Sequence, residues 1–229
     1  MEKYEIKSPR NYNNYLVINL NGYNVLIDSG SPDSFGDIHE ITLLNRKYDI
    51  KKNLRSTLGI GELVPYIGNI DALLGGDILN QLHYEINLSK GIFAVSDEPI
   101  IPDDAFELPV SYFSNIPVIQ FNVGGNNVRA FFDTGAPVSY VSPDIASPYE
   151  PADRAEDFYP LFGKFTTDIY EIPVEINGTK DIYRFGILPN QVRSALKVFG
   201  VNNILGHDYL RKYTASLSAN PGKFWSTKC

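Results

Sequence analysis

Two aspartates are set in nearly identical surroundings. Asp28 closes the apolar run Val25-Leu26-Ile27 and is followed by Ser29-Gly30-Ser31; Asp133 closes Ala130-Phe131-Phe132 and is followed by Thr134-Gly135-Ala136. Taken singly, each looks like an ordinary turn after a strand, where Asp, Ser, Gly and Pro are all common. As a pair they could do chemistry. Two carboxyls held face to face cannot both ionise comfortably, so they share one proton and offer a base and an acid at the same point. What matters next is which elements could bring them together.

The sequence repeats itself in order. The stretch VINLNGYNVLIDSGS returns as IQFNVGGNNVRAFFDTGA: an alternating strand, a turn at Asn21-Gly22 or Gly124-Gly125-Asn126, an apolar strand, then the aspartate. Asn-Gly between alternating runs is a strong hairpin signal. Further on, ALLGGDIL returns as NILGHDYL, and YEINLSKGIFAVS returns more loosely as YTASLSANPGKFWS. Three ordered matches predict two copies of one unit, over residues 1–100 and 101–229, joined at the proline- and acid-rich SDEPIIPDD. The copies differ in length at one place. Each has a second hairpin, turning near Asn45 and Asn177, and 17 residues lead from Asp28 to the first of these against 44 from Asp133 to the second. The excess lies in VSPDIASPYEPADRAEDFYPLFGKFTTDIYE.

Composition sets the class. The 229 residues are 43% hydrophobic and 21% charged, with 15 Tyr and 13 Phe, which predicts an ordinary globular protein rich in β structure. A net charge of −7 without any Lys/Arg block argues against nucleic acid or an anionic membrane as partner. Cys229 is the only cysteine, so no internal disulfide can form, and no apolar run reaches a membrane span's length; a cytoplasmic protein is expected. The Asn-x-Ser/Thr triplets at Asn87 and Asn177 read as chance. His39, His83 and His207 share no ligand spacing, so no metal is expected, and no G-x-S-x-G elbow is present.

The duplicated apolar–Asp–Ser/Thr–Gly frame, each copy followed later by Leu73-Leu74-Gly75 or Ile204-Leu205-Gly206, resembles the aspartic proteases of the pepsin and retropepsin clan. The closest resemblance is to two retropepsin-type units fused in one chain, over nearly the whole sequence. It implies an all-β, bilobal fold with pseudo-two-fold symmetry and a central cleft. The implied activity is that of an aspartic endopeptidase acting on extended peptide or protein substrates, monomeric and without cofactor, with Asp28 and Asp133 as the catalytic pair. Ser29, Gly30, Ser31, Thr134, Gly135 and Ala136 would support them, the Ser29 and Thr134 hydroxyls bonding across the interface. The excess in the second copy would form a flap with its tip at Phe162, Gly163 and Lys164, leaving the first copy's flap reduced or absent. TLGIGELVPYIG in the first copy falls after its second hairpin, where a strand is expected.

Further expectations attach to single residues. A Ser31 hydroxyl beside Asp28 would favour its charged form and leave the proton on Asp133. Asp77 and Asp208 are placed to N-cap the short helices ILNQLH and YLRKY. Gly76 and His207 stand where retroviral enzymes usually carry Arg, and Pro32 and Pro137 where those carry its Asp partner, so that ion pair is missing. The closing GKFWSTK, with Trp225, is expected to pair with the N-terminal KYEIK. Two other functions fit parts of the pattern: a catalytically weak or inactive peptide-binding or scaffolding descendant, and a two-carboxylate glycoside hydrolase. The latter does not explain why both acids sit in the same frame.

Overall fold

The computed structural model describes residues 1–7, 14–54, 58–160, 162–219 and 222–229. Among them strands dominate, and the longest helix is Asn190–Lys197, so the fold is all-β. Alternation of more and less buried side chains along Gly163–Ile176 shows why this segment is a strand.

Each copy has an early hairpin whose register follows its turn. Val17–Leu20 pairs with Tyr23–Ile27 around Asn21 (φ 53°) and Gly22 (φ 91°). Ile116–Val123 pairs with Asn126–Phe132 around Gly124 (φ 56°) and Gly125 (φ 81°). Positive φ at both central residues gives the turn whose twist matches the flanking strands. The second arm of each hairpin then pairs in parallel with a distant strand, Val25–Ile27 with Ala72–Leu74 and Ala130–Phe132 with Asn203–Leu205. These parallel pairs place the residue after each arm, Asp28 or Asp133, beside the glycine that follows the distant strand.

A six-stranded antiparallel sheet ties the copies together. Its order is Glu2–Glu5, Ile92–Ser96, His83–Asn87, Tyr213–Leu217, Phe224–Lys228, Phe106–Leu108. The terminal strands share this sheet but do not pair with each other, contrary to the sequence expectation. Each copy folds its own hairpin and adds its own leading strand outside it, so the contact between copies falls at Tyr84–Ile86 against Ala215–Leu217. Beneath lies a core drawn from both copies, with Leu74, Tyr84, Phe132, Tyr209 and Phe224 all buried. Two smaller apolar clusters lie on either side of the aspartates, one built on Leu26, Leu63 and Leu73, the other on Phe131, Leu188 and Ile204.

The stretch 57–68 departs from expectation. Only Leu58–Gly59 is strand; a 3-10 turn over Ile60–Glu62 and a helix over Val64–Ile67 follow, while Thr57 lies outside the described residues. Pro65 explains this, because its missing N–H and fixed φ suit a first helical turn and interrupt a ladder. Gly68, at φ 115°, ends the helix.

Candidate active site

The two aspartates arrive through matching bonds. The Asp28 N–H donates to the Leu74 carbonyl at 3.0 Å, and the Asp133 N–H to the Leu205 carbonyl at 3.0 Å. Each carboxyl is then held by its own loop, the Gly30 N–H donating to Asp28 Oδ1 at 2.9 Å and the Gly135 N–H to Asp133 Oδ1 at 2.9 Å. The loops interlock through four buried bonds. Ser29 N–H donates to Thr134 Oγ1 (2.9 Å) and Thr134 N–H to Ser29 Oγ (3.0 Å). The hydroxyls go on to the carbonyls of Phe132 (2.7 Å) and Ile27 (2.9 Å). Every polar atom of both side chains is thereby paired across the junction. Glycine is required here because a Cβ on Gly30 would fall on the Asp133 carboxyl and one on Gly135 on the Asp28 carboxyl.

Burial raises both carboxyls above the usual carboxylate range, Asp28 to about 6. The charge on Asp28 adds to burial at Asp133. Asp28 also has a second donor, the Ser31 backbone N–H at 3.1 Å. The asymmetry expected from the sequence therefore has a different source. The Ser31 hydroxyl points away and donates to the Asp33 carbonyl at 2.8 Å, so the backbone, not the side chain, favours the charged form of Asp28. Ala136 N–H donates to the Asp133 main-chain carbonyl at 3.3 Å.

The braces behind the loops differ. Asp77 and Asp208 lie inside the first turns of helices Gly76–Leu79 and His207–Leu210; neither is the N-cap, because the preceding glycines, Gly75 and Gly206, carry the chain into each helix. Asp77 instead accepts the Ser34 N–H at 2.7 Å and its hydroxyl at 2.6 Å, and Asp208 pairs with Arg211 at 3.1 Å. In place of an Arg–Asp pair, the second loop has buried His207, whose Nε2 bonds the Thr134 carbonyl at 2.8 Å. Burial holds the imidazole neutral, its pKa lowered to about 4, so Nε2 carries the proton and donates. On the first loop Gly76 leaves room for the Asn115 carbonyl.

A long hairpin, Pro151–Tyr159 with Gly163–Ile176, extends over the pair. Its register, Tyr159 opposite Gly163, puts the turn at residues 160–162, of which Leu161 lies outside the described residues. The hairpin is held on both sides. Phe158 stacks on Tyr66 of the first copy with centroids 3.7 Å apart, while the Tyr140 hydroxyl donates to Asp157. The cavity beneath, about 280 Å³, is lined by both aspartates, by Tyr15, and by Asp157, Phe158, Tyr159, Pro160 and Phe165 of the hairpin. Of the expected tip residues, Phe162 packs edge-on against Phe165, Gly163 starts the returning strand at φ 92°, and Lys164 lies 5.6 Å over the Tyr66 ring. None of the three lines this cavity; Lys164, opposite Phe158 and against the same Tyr66 ring, lines a neighbouring one instead.

Several lining residues carried no signal in the sequence. Tyr15, Tyr140 and Asp157 belong to no motif and meet only through the fold. The helix bearing Leu196 was visible in principle, since Val192 and Leu196 are its buried residues at helical spacing.

No family model and no curated protein matches the chain. Among solved structures, it is similar to the protease of simian foamy virus (mac), solved in solution, at 16% identity and a TM-score of 0.29, over 39% of this chain and 87% of that one.

Proposed function

We propose that the protein is an aspartic endopeptidase built from two fused retropepsin-like lobes, residues 1–100 and 101–229, working as a monomer on extended peptides. One observation carries this reading: Asp28 and Asp133 line one cavity from two loops locked together by the Ser29–Thr134 bonds, each carboxyl packed against the other loop's glycine.

The roles follow from the donors. Asp28, with two backbone N–H donors, is the ionised partner, and Asp133 holds the shared proton. Asp28 takes a proton from water as the water oxygen attacks the peptide carbonyl carbon, while Asp133 gives its proton to the carbonyl oxygen. Asp28 then passes its proton to the amide nitrogen while Asp133 takes one back from a hydroxyl of the tetrahedral diol; the C–N bond breaks to give acid and amine, and Asp133 again holds the pair's one proton. The hairpin would hold substrate by backbone hydrogen bonds, with apolar side chains next to the cut in the walls formed by Leu63 and Leu73 on one side and Leu188 and Ile204 on the other.

The test is cleavage of an unbiased peptide library by the wild type, Asp28→Asn and Asp133→Asn. Cuts made by the wild type and by neither variant support the reading. Equal cutting by either variant refutes it, and peptide binding with no cutting at all would make the protein a peptide-binding descendant instead.

A further inference from the structure

Apart from the two central aspartates, the cavity above them has one charged wall residue among those described, Asp157. It lies on the outgoing arm of the hairpin, two residues before Tyr159 and opposite Phe165, both of which line the same cavity. Side chains two apart share a face of a strand, so Asp157 faces the cavity together with Tyr159. Its charge reaches the pair, adding to burial and to Asp28 in raising Asp133.

No cation among the described residues balances this carboxylate. Its partners are the Tyr140 hydroxyl on Oδ2 and the Phe158 N–H on Oδ1 (2.8 Å), both neutral donors. The basic residues of the neighbouring cavity, which Asp157 also borders, are engaged elsewhere. Arg154 pairs with Asp168 at 2.8 Å, Arg184 with Asp153 and Arg211 with Asp208 at 3.1 Å, while Lys164 lies 5.6 Å over the Tyr66 ring. Asp157 is half-buried, and burial raises its pKa. An ionised carboxyl accepts at roughly four sites, so two filled sites leave room for more donors. The two donors also hold its orientation in advance of any ligand. What it lacks is an opposite charge.

We propose that Asp157 is a specificity residue, binding the ammonium or guanidinium of a substrate Lys or Arg whose apolar stem lies along the aromatic wall of Tyr15, Tyr140 and Phe158. This rests on the peptidase reading above and deepens it: the peptide is apolar where it meets Leu63, Leu73, Leu188 and Ile204, and basic at the one position that reaches Asp157. The sign of the preference follows from the wall. An acidic side chain there would meet three aspartates and no cation, and a neutral one would leave the carboxylate unbalanced. Long basic side chains suit such a place because the stem packs on apolar surface while the head keeps its charge-assisted bond.

The experiment measures cleavage by the full chain of peptides identical except for Lys, Met or Glu at each position in turn, around a site found with the unbiased library. At one position kcat/KM with Lys should exceed that with Met, a neutral side chain of similar length, about tenfold, with Glu below both. Asp157→Asn and Asp157→Ala should each bring the Lys-to-Met ratio to about twofold or less, with the unfolding midpoint checked in both. Tyr140→Phe separates recognition from support of the hairpin. It removes the hydroxyl bond and keeps the charge, so any loss should fall on the Lys and Met peptides alike and the ratio should stay near its wild-type value. Lys and Met cut equally at every position by the wild type, or a Lys preference that survives both Asp157 variants, would overturn the proposal and leave the peptidase reading standing. A ratio lost in Tyr140→Phe as fully as in Asp157→Asn would make Asp157 a support for the hairpin instead. If the wild type cuts no peptide of any sequence, the peptidase reading falls, and the proposal with it.

Discussion

Around Asp28 and around Asp133 the backbone runs through the same bonds: a 3.0 Å link to the neighbouring strand, a glycine N–H on Oδ1 at 2.9 Å, and a hydroxyl partner in the opposite loop. One residue further out the two regions part. The first loop is braced by Asp77 on Ser34, and Gly76 admits the Asn115 carbonyl; the second is braced by neutral His207 on Thr134. Above the site, the second copy contributes a long hairpin. The first offers only the short pair Asn53–Leu54 and Leu58–Gly59, with residues 55–57 outside the described ones. The cross-loop bonds are alike in the two copies, and the differences begin in the braces behind the loops and the cover above them.

The centre should be the most fragile part. Gly30→Ala or Gly135→Ala puts a methyl group on the opposite carboxyl, so kcat/KM should fall about a hundredfold or more in each. A variant that keeps most of its activity would show that the loops do not pack as described. Next come the cross-loop hydroxyls. Ser29→Ala and Thr134→Val each strand a buried N–H and a buried C=O, and should cost about 2–5 kcal/mol by urea unfolding, alike in the two loops. Clearly unequal losses would break the equivalence.

His207 offers a sharper test of the difference. Its folded-state pKa is depressed, from 6.5 to about 4, so the unfolded chain binds its proton first as pH falls. Its contribution is fully present above pH 6.5 and is lost between there and pH 4, about 3 kcal/mol in all. His207→Leu should lack that acid-side loss, while Asp77→Asn, in the other brace, should retain it. Smaller still is the hold on the hairpin. Phe158→Leu removes the stack on Tyr66, worth about 0.5–1.5 kcal/mol, and should raise KM a few-fold with kcat little changed. Least of all is Ser31→Ala. Its hydroxyl serves Asp33, so the acid limb of the pH–rate profile should not move.

Much of the positioning was legible because it is local and repeated. Alternating runs around Asn21-Gly22 and Gly124-Gly125 specify hairpins, and Leu74-Gly75 and Leu205-Gly206 mark the strands laid beside them. What was illegible depends on contacts between distant residues. Nothing near Ser31 tells its hydroxyl from its N–H as the donor to Asp28. The excess after Asp133 announced a hairpin, but which side chains face down depends on the register Tyr159–Gly163, and a one-residue shift would exchange Lys164 for Phe165. Tyr66 and Tyr140 hold the hairpin from two separate elements. Pro65, by contrast, was in plain view, and its preference for a first helical turn outweighed the expected strand.

That the two aspartates act as one unit is tested most directly by kcat/KM for Asp28→Asn, Asp133→Asn and the double variant on one peptide. Groups that work as a pair are not additive, so either single change should remove essentially all activity and the double change no more. One variant retaining substantial turnover, or two losses that multiply in the double variant, would contradict a shared-proton pair.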